Sequence, residues 1–192
     1  MAGSLKLGRT NIFTACMLFQ IFCWPALLLA DEVYLTKEEA LRIILGEGCE
    51  IRYEKRHLDE AALQALKGVG AAPEGAAESH IFTCLRGGVI SGYAFIDQQI
   101  GKHAPITFIV GIDPNGKVSG SEIMVYREHY GSQVKDQEFL SQFKLKTSTD
   151  PLRVGHDIKH VTGATLSSLA IAKGVKRELL LWNMFFARTK DA

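Results

Sequence analysis

No field of one charge runs through this 192-residue chain, in which 22 Lys and Arg stand against 21 Asp and Glu for a net charge of +1. That balance advertises neither nucleic acid nor a cationic partner, so partners have to be read from local sites. Cysteine is scarce as well. Of four, Cys16 and Cys23 lie in an apolar N-terminal run, leaving Cys49 and Cys84 for the folded part. Two such cysteines either pair outside the cytoplasm or stay free and buried. A dinucleotide fingerprint is missing: Gly68-Val69-Gly70 follows no clear strand and lacks a third glycine at the required spacing. His156 and His160 have a helical metal-ligand spacing, but Gly155 and Thr162-Gly163 interrupt a regular helix, and no metal is expected. His103 and Glu128 have no nucleophile beside them, so they read as solvated groups and no catalytic residue is assigned.

Charge is also absent between Arg9 and Asp31. The apolar run over 12–30 is broken only by Thr14, Gln20 and Pro25 and is preceded by Lys6 and Arg9. A basic lead, an apolar stretch and Ala30 before an acidic start read as a signal peptide, although Leu28 is larger than the small residue expected two places earlier. If retained, the run is about the 20 residues needed to span a bilayer, with the N-terminus held inside by its basic flank. Either way the remainder is exported. Cys16 stands too early in the run for a lipid attachment.

What is present beyond residue 30 reads as one α+β domain, an antiparallel sheet packed by helices. Thr36 caps a short amphipathic helix with Glu38 and Glu39 in its first turn and Gly46 at its end. The mixed segment 51–65 reads as a second helix, and 68–79, rich in Gly and Ala, as a loop. Four β-rich runs follow at 81–85, 89–96, 106–112 and 118–126, with Gly87-Gly88 and Asp113-Pro114-Asn115-Gly116 as turns. Leu169, Ala172, Val175, Leu179 and Trp182 then line one face of a last helix, with Lys173, Lys176 and Arg177 off that face. The expected divisions are 1–30 for the export segment, 31–79 for a helical region and loop, and 80–187 for the main domain.

Thr162-Gly163-Ala164-Thr165-Leu166-Ser167-Ser168 stands directly before and within the start of that helix. Free N–H groups and the positive end of the macrodipole at a helix start stabilise an anion, and glycine permits close backbone approach. A hydroxyl-capped helix would account for one Ser or Thr, with Thr162 in that role. Four hydroxyls exceed what one cap requires.

The segment from Thr162 to Ser167 resembles the flavinylation motif of the FMN-binding domain family, which includes extracytoplasmic subunits of ion-pumping quinone and ferredoxin oxidoreductases. Gly92-Tyr93, Gly101-Lys102-His103, Pro105 to Phe108, Val110 to Asp113, Gly116 to Val118 and Tyr126 to Gly131 resemble further family landmarks in family order. The resemblance implies FMN joined through its phosphate to the Thr165 hydroxyl by a separate FAD-dependent FMN transferase. It implies cofactor contacts from Thr162, Gly163, Ala164, Thr165, Leu166, Ser167, Glu128 and Gly131. The chain departs from the family at Lys159, where many members have Asp, and at His129-Tyr130, where many have Thr-Pro. Lys102 and Arg127 are candidates to stabilise the flavin or its phosphate, and Tyr93, Tyr126 and Tyr130 to pack on its ring. The expected role is an extracytoplasmic electron carrier between a membrane oxidoreductase and another redox protein. The alternatives are an exported non-redox binding or structural module and a reductase holding FMN noncovalently.

Overall fold

The computed structural model describes residues 32–72 and 77–187, so the export segment expected over 1–30 lies outside the described residues. Thr36 starts helix α1 (Lys37–Leu45) with a reciprocal capping box: its hydroxyl accepts from the Glu39 amide at 3.2 Å, and the Glu39 carboxylate accepts from the Thr36 amide at 2.8 Å. Two leading N–H groups are thereby satisfied. Gly46, at φ 78°, ends the helix. The buried side of α1, Ala40, Leu41 and Leu45, packs with Phe82, Cys84, Ala94, Ile109 and Met124 of the sheet.

The helix expected over 51–65 is corrected. Glu50–His57 is strand β2, and α2 (Glu60–Gly68) begins only after the Asp59 side chain accepts from the Ala62 amide at 2.8 Å. In β2, Ile51 and Tyr53 alternate with charged Arg52 and Glu54, which is the period of a strand. Because β2 lies at the edge of the sheet and is largely exposed, its charges are solvated and blur that alternation. Tyr53 packs on Phe82 of the neighbouring strand, with ring centroids 5.0 Å apart.

Strands β3 (Glu78–Arg86), β4 (Val89–Ile100), β5 (Pro105–Ile112) and β6 (Val118–Tyr126) follow the four β-rich runs, the first two extending beyond them. With β1 (Glu32–Val33) they form an antiparallel sheet in the order β1-β6-β5-β4-β3-β2. The β5–β6 turn is organised by Asp113, whose carboxylate accepts from the Asn115 and Lys117 amides at 2.8 and 2.9 Å. Gly116 adopts φ 82°, and a Cβ there would overlap the Trp182 ring. A side chain is therefore excluded on two counts.

Helix α4 (Thr165–Phe186) covers the opposite sheet face from α1. Ile171, Val175 and Leu179 are fully buried there with Phe95, Phe108 and Val110. Leu169 is 44% exposed and does not belong to the core-facing stripe. Arg177, expected off that stripe, is 3% exposed. Gly174 brings the helix against Phe108, leaving no room for a Cβ. A short helix, α3 (Gln137–Leu140), packs Phe139 edge-on to Phe143 between β6 and the approach to α4.

Cys49 and Cys84 are disulfide-bonded with Cα atoms 5.2 Å apart, resolving the alternative of free thiols. The bond fastens the start of β2 to β3 across a sequence separation of 35. Replacing both cysteines by Ala is expected to lower the unfolding free energy by about 2–4 kcal/mol, mainly by releasing the unfolded chain. Urea unfolding of the oxidised protein and the double variant measures it; equal stabilities would refute it.

Candidate functional site

The hydroxyls of the 162–168 segment divide into two pairs. Thr162 and Thr165 are exposed, whereas Ser167 and Ser168 are buried and hydrogen-bonded. Ser168 Oγ accepts from the Val161 amide at 3.1 Å and donates to the Ala164 carbonyl at 3.0 Å, fastening the approach to α4. The Tyr126 hydroxyl donates to the Tyr130 carbonyl at 2.6 Å and meets Ser167 Oγ at 3.1 Å. Having spent its one proton on the carbonyl, that phenol accepts from Ser167.

Thr162 is not the helix cap. Ala164 occupies that position, at φ −130° and ψ 35°, and no side chain caps the first turn. Gly163, at φ 79°, turns the chain out of the loop so that Thr165 becomes the first helical residue. The leading amides of a 22-residue helix and an exposed secondary hydroxyl consequently share one end of α4. This donor set fits a phosphate group: the leading amides and the exposed hydroxyl lie at the positive end of the helix, where an anion is stabilised.

The loop after β6 is joined to this helix end. Gly131, at φ 83°, lies so close to Ala164 that a Cβ would overlap the alanine methyl. Together with the Tyr126 bonds, this contact brings Gly131 and the 162–167 segment together. Glu128 is bonded to the 101–104 loop. One of its carboxylate oxygens accepts from the backbone amides of Lys102, His103 and Ala104, the last two at 2.7 and 3.1 Å. Burial pushes its carboxyl up, but the three amides together outweigh this and hold it below the usual range. Its carboxylate is a clasp for the 101–104 loop.

The three tyrosines differ as ring partners. Tyr93 is buried against Trp182 and Phe186, with centroids 6.2 and 4.3 Å away, and Tyr126 is buried as the loop fastener. Tyr130 is 85% exposed beside Gly131. Arg127 donates to the Pro105 carbonyl at 3.2 Å and to Thr107 at 3.1 Å, so its guanidinium joins β6 to β5. Lys102 and His103 are exposed on the clasped loop.

Sequence reasoning missed Gln142. Its side chain brackets Lys159, accepting from that residue's amide at 2.8 Å and donating to its carbonyl at 3.2 Å. The backbone at the departure from the family pattern is thus held without using the lysine side chain. Asp157 accepts from the Leu152 and Arg153 amides and from Lys146. Burial raises its carboxyl, but these donors win and keep it below the ordinary range. No spacing rule forecasts either contact, since both depend on how the 142–160 connection folds back. His156 and His160 are exposed, and among the described residues no group of three or more His, Cys, Asp or Glu is placed to hold a metal.

Residues 101–179 match the FMN-binding domain model. Over 103 residues the chain is 31% identical to one subunit of the proton-translocating ferredoxin:NAD(+) oxidoreductase complex from Clostridium ljungdahlii, covering 50% of this chain and 55% of the relative. The chain thus spans about half the length of that curated relative. In fold it is similar to the crystal structure of Shewanella oneidensis NqrC, with a TM-score of 0.51 and 16% identity over 79% of this chain and 88% of the other. The matched residues include Glu128, Gly131 and the whole 162–168 segment. Through residues 101–179, this chain is similar to the FMN-binding domain family.

Proposed function

We propose that the protein is an extracytoplasmic electron carrier whose FMN is joined by a phosphoester to Thr165. The observation that carries this reading is the exposed Thr165 hydroxyl at the uncapped start of α4, within the stretch matched to the family. Ester formation would join Thr165 Oγ1 to the FMN phosphorus of FAD, with AMP leaving and the hydroxyl proton lost to solvent or base. A separate FMN transferase would carry it out. Once attached, FMN supplies reversible one- and two-electron chemistry. The protein's part is positional: the α4 amides hold the phosphate, Gly131 sets the loop against Ala164, and exposed Tyr130 offers a ring face.

The relative from Clostridium ljungdahlii is a subunit of a redox complex by name, which supports a membrane oxidoreductase as one partner and another redox protein as the second. Export is supported by the basic-then-apolar start over 6–30 and by the Cys49–Cys84 disulfide, which suits an oxidising compartment. No helix among the described residues is long and apolar enough to cross a membrane. Anchoring, if retained, would fall to residues 12–30.

Intact mass and in-gel fluorescence of the chain expressed with an FMN transferase test the proposal. Wild type is expected to gain the mass of one FMN less one water and to fluoresce after denaturing electrophoresis. Thr165→Val should do neither, while any flavin that Thr162→Val gains should still be attached at Thr165. Retention of covalent flavin in Thr165→Val would assign the ester elsewhere. Flavin that dissociates on denaturation would favour a noncovalent reductase, and no flavin at all would leave the binding or structural module.

A further inference from the structure

Strands β3 and β4 separate at one end. Their ladder stops at His80 opposite Ile96, although β3 begins at Glu78 and β4 runs on to Ile100. Each keeps its other neighbour: β2 stays paired with β3 to His57 opposite Glu78, and β5 with β4 to Pro105 opposite Ile100. The sheet is therefore split there. Arg177 of α4 spans the split, donating to Asp97 on β4 and to the Glu78 carbonyl on β3 at 2.9 Å. A cleft of about 840 Å³ opens at this place, within the size range of small-molecule sites.

Three residues lining the cleft keep a buried polar atom without a hydrogen-bond partner: Ser79 Oγ, Arg177 Nε and Glu178 Oε2. Their side chains belong to residues only 2–3% exposed. Among the described residues, only Ser121 and Trp182 hold another such atom. Unused donor and acceptor capacity is thus concentrated at the split. Apolar surface comes from Tyr53, Phe82, Ile96, Ile100 and Pro105. Tyr53 and His80 stack within 11° of parallel, giving the rim a flat aromatic element.

Charge limits the occupant. The lining carries Lys37 and Arg177 together with Glu78 and Asp97. Burial first, and the Asp97 charge next, push the Glu178 carboxyl well above its ordinary range, toward the neutral acid. An ion of either sign would be desolvated against a balanced lining with no countercharge left for it.

We propose that this cleft binds a neutral, planar aromatic molecule with a carbonyl or amide edge, its ring against Tyr53 and Phe82 and its edge toward Arg177, Ser79 and Glu178. Arg177 lies 12 positions along α4 from Thr165, about 18 Å at the helical rise. The site is separate from the flavin reading and stands or falls without it.

Calorimetric titration of the full chain with 2-naphthamide, 2-naphthoate and 2-naphthylmethylammonium varies charge on one ring system. The amide is expected to bind saturably below about 1 mM and at least about tenfold more tightly than either ion. Ile96→Trp, which fills the cleft from a half-buried position, should weaken the amide at least about tenfold with an unchanged unfolding midpoint. If Ile96→Trp lowers that midpoint, Tyr53→Ala at an exposed position replaces it, with the same loss expected. The proposal is overturned by no saturable amide binding at about 5 mM, by an ion binding as tightly, or by wild-type affinity in the folded cleft variant.

Discussion

Asp97→Ala is expected to lower the unfolding free energy by about 3–5 kcal/mol at pH 5, because it leaves the buried Arg177 guanidinium without the carboxylate to which it donates. Asp97 is 8% and Arg177 3% exposed, so water entering by the cleft only partly replaces the lost carboxylate. The Glu78 carbonyl still accepts from Arg177, and Glu178 Oε1 lies 3.7 Å from Nη1. Burial and the Asp97 charge both oppose ionisation of Glu178 in the wild type. Removing Asp97 removes the second opposition, so Glu178 can ionise beside Arg177 as pH rises. The loss in Asp97→Ala should therefore be smaller at pH 8 than at pH 5. Urea unfolding at both values measures it, and a loss under about 1 kcal/mol at pH 5 would show that the buried pair does not hold α4 to the sheet.

The wild type carries the converse pH signature. The folded Glu178 carboxyl is raised well above its unfolded value, so its contribution is fully present below the unfolded glutamate pKa of about 4.3. That contribution is lost as pH rises toward and through the raised folded value, at up to about 1.4 kcal/mol per pH unit. Glu178→Gln should remove this slope and gain stability relative to wild type with increasing pH. An identical pH profile for both proteins would place the ionised form of Glu178 in the fold.

Local signals were sufficient where a single element contains its own cause. Thr36, Glu39 and Gly46 define α1 from within eleven residues, and Asp113 to Gly116 define a turn that closes on itself. The runs behind β4, β5 and β6 bury alternating or continuous apolar residues, so pattern and environment agree. Strand β2 was illegible because an edge strand with solvated charges owes its conformation to pairing with β3, which no local period contains. The burial of Arg177 was hidden similarly: its partners are 80 and 99 positions away. At the candidate site, the hydroxyl cluster and the glycine marked the place, but not which hydroxyls were available. That distinction comes from Tyr126 and the carbonyl of Ala164, which engage Ser167 and Ser168 and leave Thr162 and Thr165 exposed.

Gly131→Val should separate the geometry of the site from the chemistry of its acceptor. At φ 83°, a β-branched residue is forced into left-handed backbone, costing roughly 1–2 kcal/mol. Its Cβ would also overlap Ala164 and approach the Tyr126 hydroxyl at 3.1 Å. Relief by moving the loop breaks the contacts that join Tyr130 and Ser167, adding about 1–3 kcal/mol. A total loss of about 2–5 kcal/mol is expected, together with a severalfold drop in the fraction of chains carrying covalent FMN. Thr165→Val changes an exposed side chain and should eliminate the proposed ester with a stability change within about 0.5 kcal/mol. Denaturant unfolding and intact mass on the same preparations distinguish the two. If Gly131→Val is destabilised yet fully flavinylated, the 128–131 loop supports the fold without shaping the acceptor; if it loses flavin at wild-type stability, the loop is read by the transferase directly. Loss of both places Gly131 where the structure has it, as the contact through which the β6 loop holds the start of α4 in the form that presents Thr165.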